Sequence, residues 1–131
     1  MRTELILKFS FEASHSLVGY ETPHPHFWTL QVSITGSPQD GRIVDMVELR
    51  TKIQERLNPI QSSFLNESTE VDQQVRQFPT CESLCHFFFN EMNQIIEIHF
   101  SPKNPSLRLY SIEVTIADMN GSETGAARMT I

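Results

Sequence analysis

The sequence predicts a small α+β fold in which two strands, two helices and two further strands follow one another. Three observations lead to this prediction: alternating polarity near both ends of the chain, apolar residues at helical spacing in its middle, and turn signals between these segments. The chain has 131 residues, which suits one compact domain with a single core. We therefore expect one domain over residues 1–131.

The N-terminal third contains two strand patterns. Residues 3–11 alternate between apolar and polar side chains, with the period of two that marks a half-buried strand. Residues 24–35 show the same alternation, and Trp28 falls in its apolar phase, where it is expected to pack in the core or form a pocket wall. Turn residues follow at positions 36–41, so the second strand is predicted to end there.

A first helix is predicted to begin after Asp45, which can cap it, with Glu48 three residues later as in a capping box. Asn58-Pro59 ends this helix, and residues 60–78 are predicted to be mostly loop with room for a short helical turn. The apolar stripe of the helix consists of Met46, Leu49, Ile53 and Leu57.

A second helix is predicted to begin after Thr80, a suitable capping residue. Cys81 and Cys85 lie on it and are expected to be buried thiols, although the helix start is also a position that can lower the pKa of Cys81. A third strand follows over residues 112–118. Asn120-Gly121 then indicates a hairpin that leads into a fourth strand at residues 127–131.

Composition excludes several classes of function. The formal net charge of −6 argues against a nucleic-acid-binding protein, because such proteins present a basic face to phosphates. No apolar run approaches the roughly 18 residues that a membrane-spanning helix needs. The N-terminal segment lacks the apolar centre of a signal peptide, so we expect a cytoplasmic protein that does not act at a membrane.

Three of the five histidines lie within twelve residues of one another. His24 and His26 are two residues apart on a predicted strand, so their side chains leave from the same face. His15 follows the first strand, which can pair antiparallel with the second and bring His15 alongside. Imidazole suits zinc, and three histidines with one open position form a catalytic type of zinc site. An isolated H-x-H pair, by contrast, is a weak signal for a metal.

Five short motifs resemble those of the 6-pyruvoyltetrahydropterin synthase family, which includes the 6-carboxytetrahydropterin synthases. They occur in the family's order and cover nearly the whole chain. They are F-E-A-S-H at residues 11–15, H-P-H-F-W at 24–28, G-R-I-V-D-M at 41–46, L-N at 65–66 and P-T-C-E-S-L at 79–84.

This resemblance implies the tunnelling fold, a ββααββ unit with an antiparallel sheet and two helices on one face. It implies zinc bound by His15, His24 and His26, and assembly into homo-oligomers, often hexamers. The implied substrate is a small-molecule pterin, 7,8-dihydroneopterin triphosphate or a relative, in a lyase reaction.

The chain departs from the family pattern at the residues that transfer protons. Tyr20 stands where these synthases commonly have a catalytic cysteine, and it cannot act as a thiolate nucleophile. A variant branch uses a glutamate instead, and Glu21 stands at that position, suited to act as general base. Gln61 and Ser62 replace the family's Asp-His pair, and neither can relay a proton near neutral pH.

The resemblance also suggests residues that bind the substrate. The family places a glutamate at the end of the third strand, where it binds the pterin through paired hydrogen bonds. By strand phase Asp118 occupies this place, and we favour it over Glu123, which matches by letters but lies five residues later. Thr80, in the motif at the second helix, is the third candidate for substrate binding.

Three functions remain open from the sequence. The first is a zinc-dependent pterin lyase that uses Glu21 as base. The second is a catalytically altered homologue that binds a pterin or purine ligand without turnover, which Gln61 and Ser62 favour. The third is an enzyme of the same fold with another substrate.

Overall fold

The computed structural model describes residues 2–17 and 22–131. Strand β1 runs from Glu4 to His15 and pairs antiparallel with β2, which runs from His24 to Thr35. The second strand has the predicted bounds. The prediction that the first strand ends at Phe11 was wrong, because the alternation continues through Ala13 to His15 and keeps both side chains buried.

Helix α1 runs from Met46 to Leu57, as predicted. The Asp45 carboxylate accepts hydrogen bonds from the backbone N–H groups of Val47 and Glu48, which confirms it as the capping residue. The predicted apolar stripe is only partly correct, because Met46 is 46% exposed at the start of the helix. The other three members of the stripe are buried.

Residues 60–78 contain more structure than the predicted loop. Strand β3, Ser63–Phe64, is followed by a 3₁₀ turn at Leu65–Glu67 and by helix α2 at Gln73–Gln77. The 3₁₀ turn and α2 fit the predicted room for a short helical segment. The strand was missed because two residues are too few to show a period.

Helix α3 runs from Cys81 to Ile95 and continues as a π-helical segment, Ile96–Phe100. The Thr80 hydroxyl accepts a hydrogen bond from the backbone N–H of Ser83, which confirms the predicted cap. The apolar face of α3 packs against the two C-terminal strands.

Strand β4 runs from Arg108 to Ala117, and β5 from Glu123 to Thr130. Gly121 has a φ of 90°, a left-handed conformation that glycine adopts without steric cost in this hairpin. The fourth predicted strand therefore begins earlier than expected, and Glu123 is its first residue.

The sheet has five strands in the order β3-β1-β2-β4-β5. Four are antiparallel, as expected, whereas β3 pairs parallel with β1 and makes the sheet mixed. The side chains of one face form the core beneath the helices, with Trp28, Leu30 and Phe88 fully buried. In the part of the chain that is described, no helix has the length and apolar character needed to cross a membrane.

Candidate metal centre

The antiparallel register of β1 and β2 brings the three histidines together. His15, the last residue of β1, pairs with His24, the first residue of β2, and Ala13 pairs with His26. The ring centroids of the three imidazoles are 4.7, 4.8 and 4.7 Å apart. All three side chains lie in the phase that faces the helices, and His15 is buried.

A backbone carbonyl orients each imidazole ring. The Nδ1 of His15 lies 2.8 Å from the carbonyl oxygen of Pro79, and the Nδ1 of His26 lies 3.0 Å from that of Ala117. The Nδ1 of His24 lies 3.1 Å from the carbonyl oxygen of Thr22. A carbonyl oxygen only accepts, so each Nδ1 carries a proton and donates it. In the neutral imidazole, this tautomer places the lone pair on Nε2, the atom that can coordinate a metal.

The three imidazoles are close enough together to form a candidate metal site. The Nε2 atoms of His15 and His24 are 3.0 Å apart, and the potential ligand atoms of all three histidines lie within 4.8 Å of one another. Tetrahedral zinc with bonds of about 2.0–2.1 Å would separate its nitrogen ligands by about 3.3 Å. Two lone pairs this close repel each other, and a cation between them turns that repulsion into attraction.

Trp28 forms the floor beneath the histidines. Its ring centroid is 5.3 Å from that of His15 and 6.1 Å from that of His26, and both contacts are edge-to-face. The indole is fully buried, and its Nε1–H donates to the carbonyl oxygen of Ala13 at 3.1 Å. This confirms the expected packing role and gives the three imidazoles an apolar base.

Asp118 directly follows β4 at the same end of the sheet as the histidines. Phe27 pairs with Ala117, the last residue of β4, and one further step of this antiparallel register would set Asp118 opposite His26. Paired residues in antiparallel strands share a face, which is the helix-covered face for His26. Glu123 instead pairs with Ala117, across a β-bulge, and its side chain is exposed.

Thr80 lies beside Pro79, whose carbonyl orients His15. Besides capping α3, its Oγ1 donates to the Oγ of Ser83 at 3.3 Å, longer than the usual hydroxyl–hydroxyl distance. Glu21 and Tyr20, the predicted base and the residue at the usual cysteine position, lie outside the described residues.

Gln61 and Ser62 contact the backbone of β1. The Gln61 side-chain oxygen accepts a hydrogen bond from the backbone N–H of Glu12 at 3.0 Å. Ser62 has a φ of 63°, and its backbone N–H donates to the Glu12 carbonyl oxygen at 2.7 Å. The Gln61 side chain is thus engaged with a strand edge.

Cys81, the first residue of α3, does not have the lowered pKa that a position at a helix start can produce. Burial, followed by the nearby Glu82 and Cys85, raises the pKa of Cys81 to about 11. Burial also raises the pKa of Cys85, whose Sγ donates to the Ile112 carbonyl oxygen at 3.2 Å. Both cysteines are buried thiols, as predicted. For Cys81, the effect of desolvation on the pKa is larger than that of the helix start.

Sequence reasoning missed three distant groups that orient the histidines or the backbone beside them. The carbonyl acceptors at Pro79 and Ala117 lie 64 and 91 residues along the chain from His15 and His26. Because they are backbone groups, no residue type in the sequence indicates them. The third group is the Asn66 carboxamide, which bonds both backbone groups of Ser16. The L-N motif pointed to Asn66 but gave no role for it.

A mixed, mostly antiparallel sheet covered by helices, with three converging histidines at one end, defines an α+β protein with a candidate three-histidine metal centre. Residues 4–125 match the profile of a known family, described as 6-pyruvoyl tetrahydropterin synthase. The chain belongs to this family. A comparison with curated proteins gives no significant match.

Solved structures show the same fold. The 6-pyruvoyl tetrahydropterin synthase of Caenorhabditis elegans is similar with a TM-score of 0.68 and 16% identity, covering 100% of this chain and 96% of that one. The Plasmodium vivax synthase gives a TM-score of 0.67 at 19% identity, covering 100% and 99%. An uncharacterized Wolinella succinogenes protein gives 0.72 at 13% identity, covering 99% and 98%. The predicted tunnelling fold is confirmed.

Proposed function

We propose that this chain is a zinc-dependent pterin lyase that acts on 7,8-dihydroneopterin triphosphate or a closely related pterin. The observation that carries the proposal is the orientation of the three histidines. Each Nδ1 donates to a backbone carbonyl, and the Nε2 atoms of His15, His24 and His26 converge. This is how zinc ligands are held by their outer-shell partners in proteins.

The proposed substrate-binding residues lie around this centre. Asp118 is the proposed pterin anchor, because it continues the register opposite His26 and shares its face. Glu123 is the weaker candidate, since its partner Ala117 belongs to the other phase of β4. Thr80 is a proposed second contact, because its long hydrogen bond to Ser83 can be exchanged for one to the substrate.

Glu21 is the proposed general base. His15, His24 and His26 would hold the zinc ion, which would supply Lewis acidity toward a hydroxyl group on the pterin side chain. Glu21 then takes a proton from that side chain, and the apolar floor at Trp28 keeps water from the reacting groups. The Plasmodium vivax structures include variants described as catalytic-residue mutants in which a glutamate is replaced, which supports a glutamate in this role.

A second candidate function is a pterin- or purine-binding protein without turnover. The observation that favours it is the engagement of Gln61 with the backbone of Glu12. A side chain without a titratable proton, held in this way, cannot relay a proton as an Asp-His pair does.

The two candidates are separated by incubating zinc-replete protein with 7,8-dihydroneopterin triphosphate and resolving the pterins by chromatography. The lyase proposal expects a new pterin product whose formation stops when zinc is removed with a chelator. Unreacted substrate, bound tightly by fluorescence titration, would support the binding protein instead. Neither product nor binding would contradict both candidates.

We also propose that copies of the single domain assemble in the cytoplasm into a homo-oligomer. Strand β5 forms one edge of the sheet, and at the other edge β3 covers β1 only at Ala13 and Ser14. Exposed strand edges favour pairing with a further chain. Analytical ultracentrifugation checks this, and a monomer at micromolar concentration would contradict it.

A further inference from the structure

The end of β1 that carries His15 is braced from its outer side. Strand β3 has only two residues, and its ladder to β1 pairs Ala13 with Ser63 and Ser14 with Phe64. A side-chain carboxamide extends this short ladder at each end. Gln61 bonds the backbone of Glu12, before the paired residues, and Asn66 bonds the backbone of Ser16, after them. We call segment 61–66 the brace, because its contacts cover β1 from Glu12 to the residue after His15.

Asn66 makes the more complete of the two contacts. Its Oδ1 accepts from the backbone N–H of Ser16 at 2.9 Å, and its Nδ2 donates to the carbonyl oxygen of Ser16 at 2.8 Å. A carboxamide offers an acceptor and donors in one plane, like a peptide group, so Asn66 acts as one further ladder residue. Both backbone groups of Ser16 are thereby fixed.

Ser16 directly follows a proposed metal ligand. His15 is the last residue of β1, and its pair with His24 is the last pair between β1 and β2. Beyond His15, pairing with β2 no longer fixes the backbone. Its ring must satisfy two directions at once, with Nδ1 toward the Pro79 carbonyl and Nε2 toward His24. A small rotation of the strand end would break one of these contacts.

We propose that Asn66 is a positioning residue for the metal centre, which fixes the backbone of Ser16 and thereby holds His15 in its ligand orientation. This inference rests on the proposed function, because it assumes that the three histidines bind zinc. It also gives segment 61–66 a role that does not require proton relay. The segment braces the strand that presents the first ligand.

The test compares zinc affinities of the intact protein, measured by competition with a chelator. Asn66→Ala is expected to weaken zinc binding by about 10–100-fold, the range for removal of an outer-shell partner. Gln61→Ala is the matched control, since it removes a carboxamide bond at the far end of the same brace. We expect Gln61→Ala to change the affinity by less than about threefold.

Two further measurements guard against a purely structural effect. Trp28 is the single tryptophan, and its ring lies 5.3 Å from that of His15, so quenching of its emission by Co²⁺ reports binding at the centre directly. Asn66→Asp keeps the acceptor for Ser16 N–H but loses the donor, so we expect an intermediate affinity. It also serves as the test variant if Asn66→Ala does not fold.

The outcomes separate this inference from the proposed function. If wild-type protein binds zinc and both Asn66 variants bind it equally well, the positioning role is wrong and the metal centre stands. Equal losses in Asn66→Ala and Gln61→Ala would also overturn it, because they would reflect general loosening of the brace. A wild-type protein that binds neither zinc nor cobalt would overturn the proposed function and this inference together.

Discussion

The histidine cluster and segment 61–66 lie against the same strand, β1, yet their side chains serve opposite purposes. In the cluster, backbone carbonyls accept hydrogen bonds from Nδ1 of His15 and His26, which directs their Nε2 atoms toward the candidate metal position. In the segment, the carboxamides of Gln61 and Asn66 are themselves occupied by the backbone of β1. One region uses backbone to prepare side chains for chemistry, and the other uses side chains to complete backbone structure.

This difference is consistent with a chain that keeps the proposed metal ligands while residues 61 and 62 differ from the Asp-His pair that the family resemblance implies. A metal site needs its ligand atoms and their orienting partners, and those partners here are carbonyls that any sequence supplies. A relay needs titratable side chains with a pKa near neutral. Gln61 has no titratable proton near neutral pH, but its side-chain oxygen accepts the backbone N–H of Glu12 at the strand edge, at a reach that is one methylene longer than that of an aspartate.

The largest expected effect is on zinc affinity, when one of the three clustered histidines is removed. His15→Ala deletes one of three nitrogen donors and leaves two, so we expect zinc affinity to fall by more than the roughly 100-fold seen for outer-shell partners. Chelator competition measures the loss, and any zinc-dependent turnover should disappear with it. His86→Ala, which removes an exposed imidazole on α3, is the control and should bind zinc normally. Unchanged affinity in His15→Ala would show that the cluster is not the metal site.

Replacing the proposed base has the next largest effect. Glu21→Gln keeps the size of the side chain but removes its basicity, so we expect kcat to fall by about 10²–10⁴-fold with zinc affinity unchanged. Steady-state kinetics with the pterin substrate measures the change. Glu97→Gln, which changes an exposed glutamate in the π-helical segment after α3, is the control. Full turnover in Glu21→Gln would require another base and reopen the role of segment 61–66.

A smaller effect distinguishes the two candidate pterin anchors. Asp118→Asn removes the charge from a proposed pair of hydrogen bonds, so pterin affinity should fall by about 10- to 100-fold, the usual weight of a hydrogen bond to a charged group. Glu123→Gln is the matched comparison and should leave the affinity nearly unchanged, because its side chain is exposed in the other strand phase. Fluorescence titration measures both. The reverse result would assign the anchor to Glu123.

The parts of the site that could be predicted from the sequence are those fixed by strand periodicity. His24 and His26 must share a face because strand side chains alternate, and the bounds of β2 followed from the same pattern. The antiparallel return from β1 then brings His15 beside them. A local pattern is sufficient here because each step involves neighbouring residues or adjacent strands.

The parts of the site that could not be predicted depend on backbone segments that are far from the histidines in sequence and reach them only in the folded chain. The carbonyls of Pro79 and Ala117 are within reach of the histidines only after α3 and β4 have packed on the sheet. Strand β3 exists because Ser63 and Phe64 meet the edge of β1, and neither residue shows this in its sequence. The pKa of Cys81 is likewise set by burial between elements that are remote in the chain.

The smallest expected effect concerns Cys81. It tests whether the Cys81 thiol stays protonated in the folded protein instead of being a reactive thiolate. Burial raises the pKa of its thiol from 9.0 to about 11, so the folded protein holds the proton more tightly than the unfolded chain. This contribution to stability is fully present below pH 9 and is lost as the pH rises toward 11. The melting temperature of wild type should therefore fall more steeply across that window than that of Cys81→Ala, although the variant is less stable at pH 7 because of the cavity it leaves. Thermal unfolding between pH 7 and 10.5 measures both curves, and parallel curves would show that the thiol is not held protonated by burial.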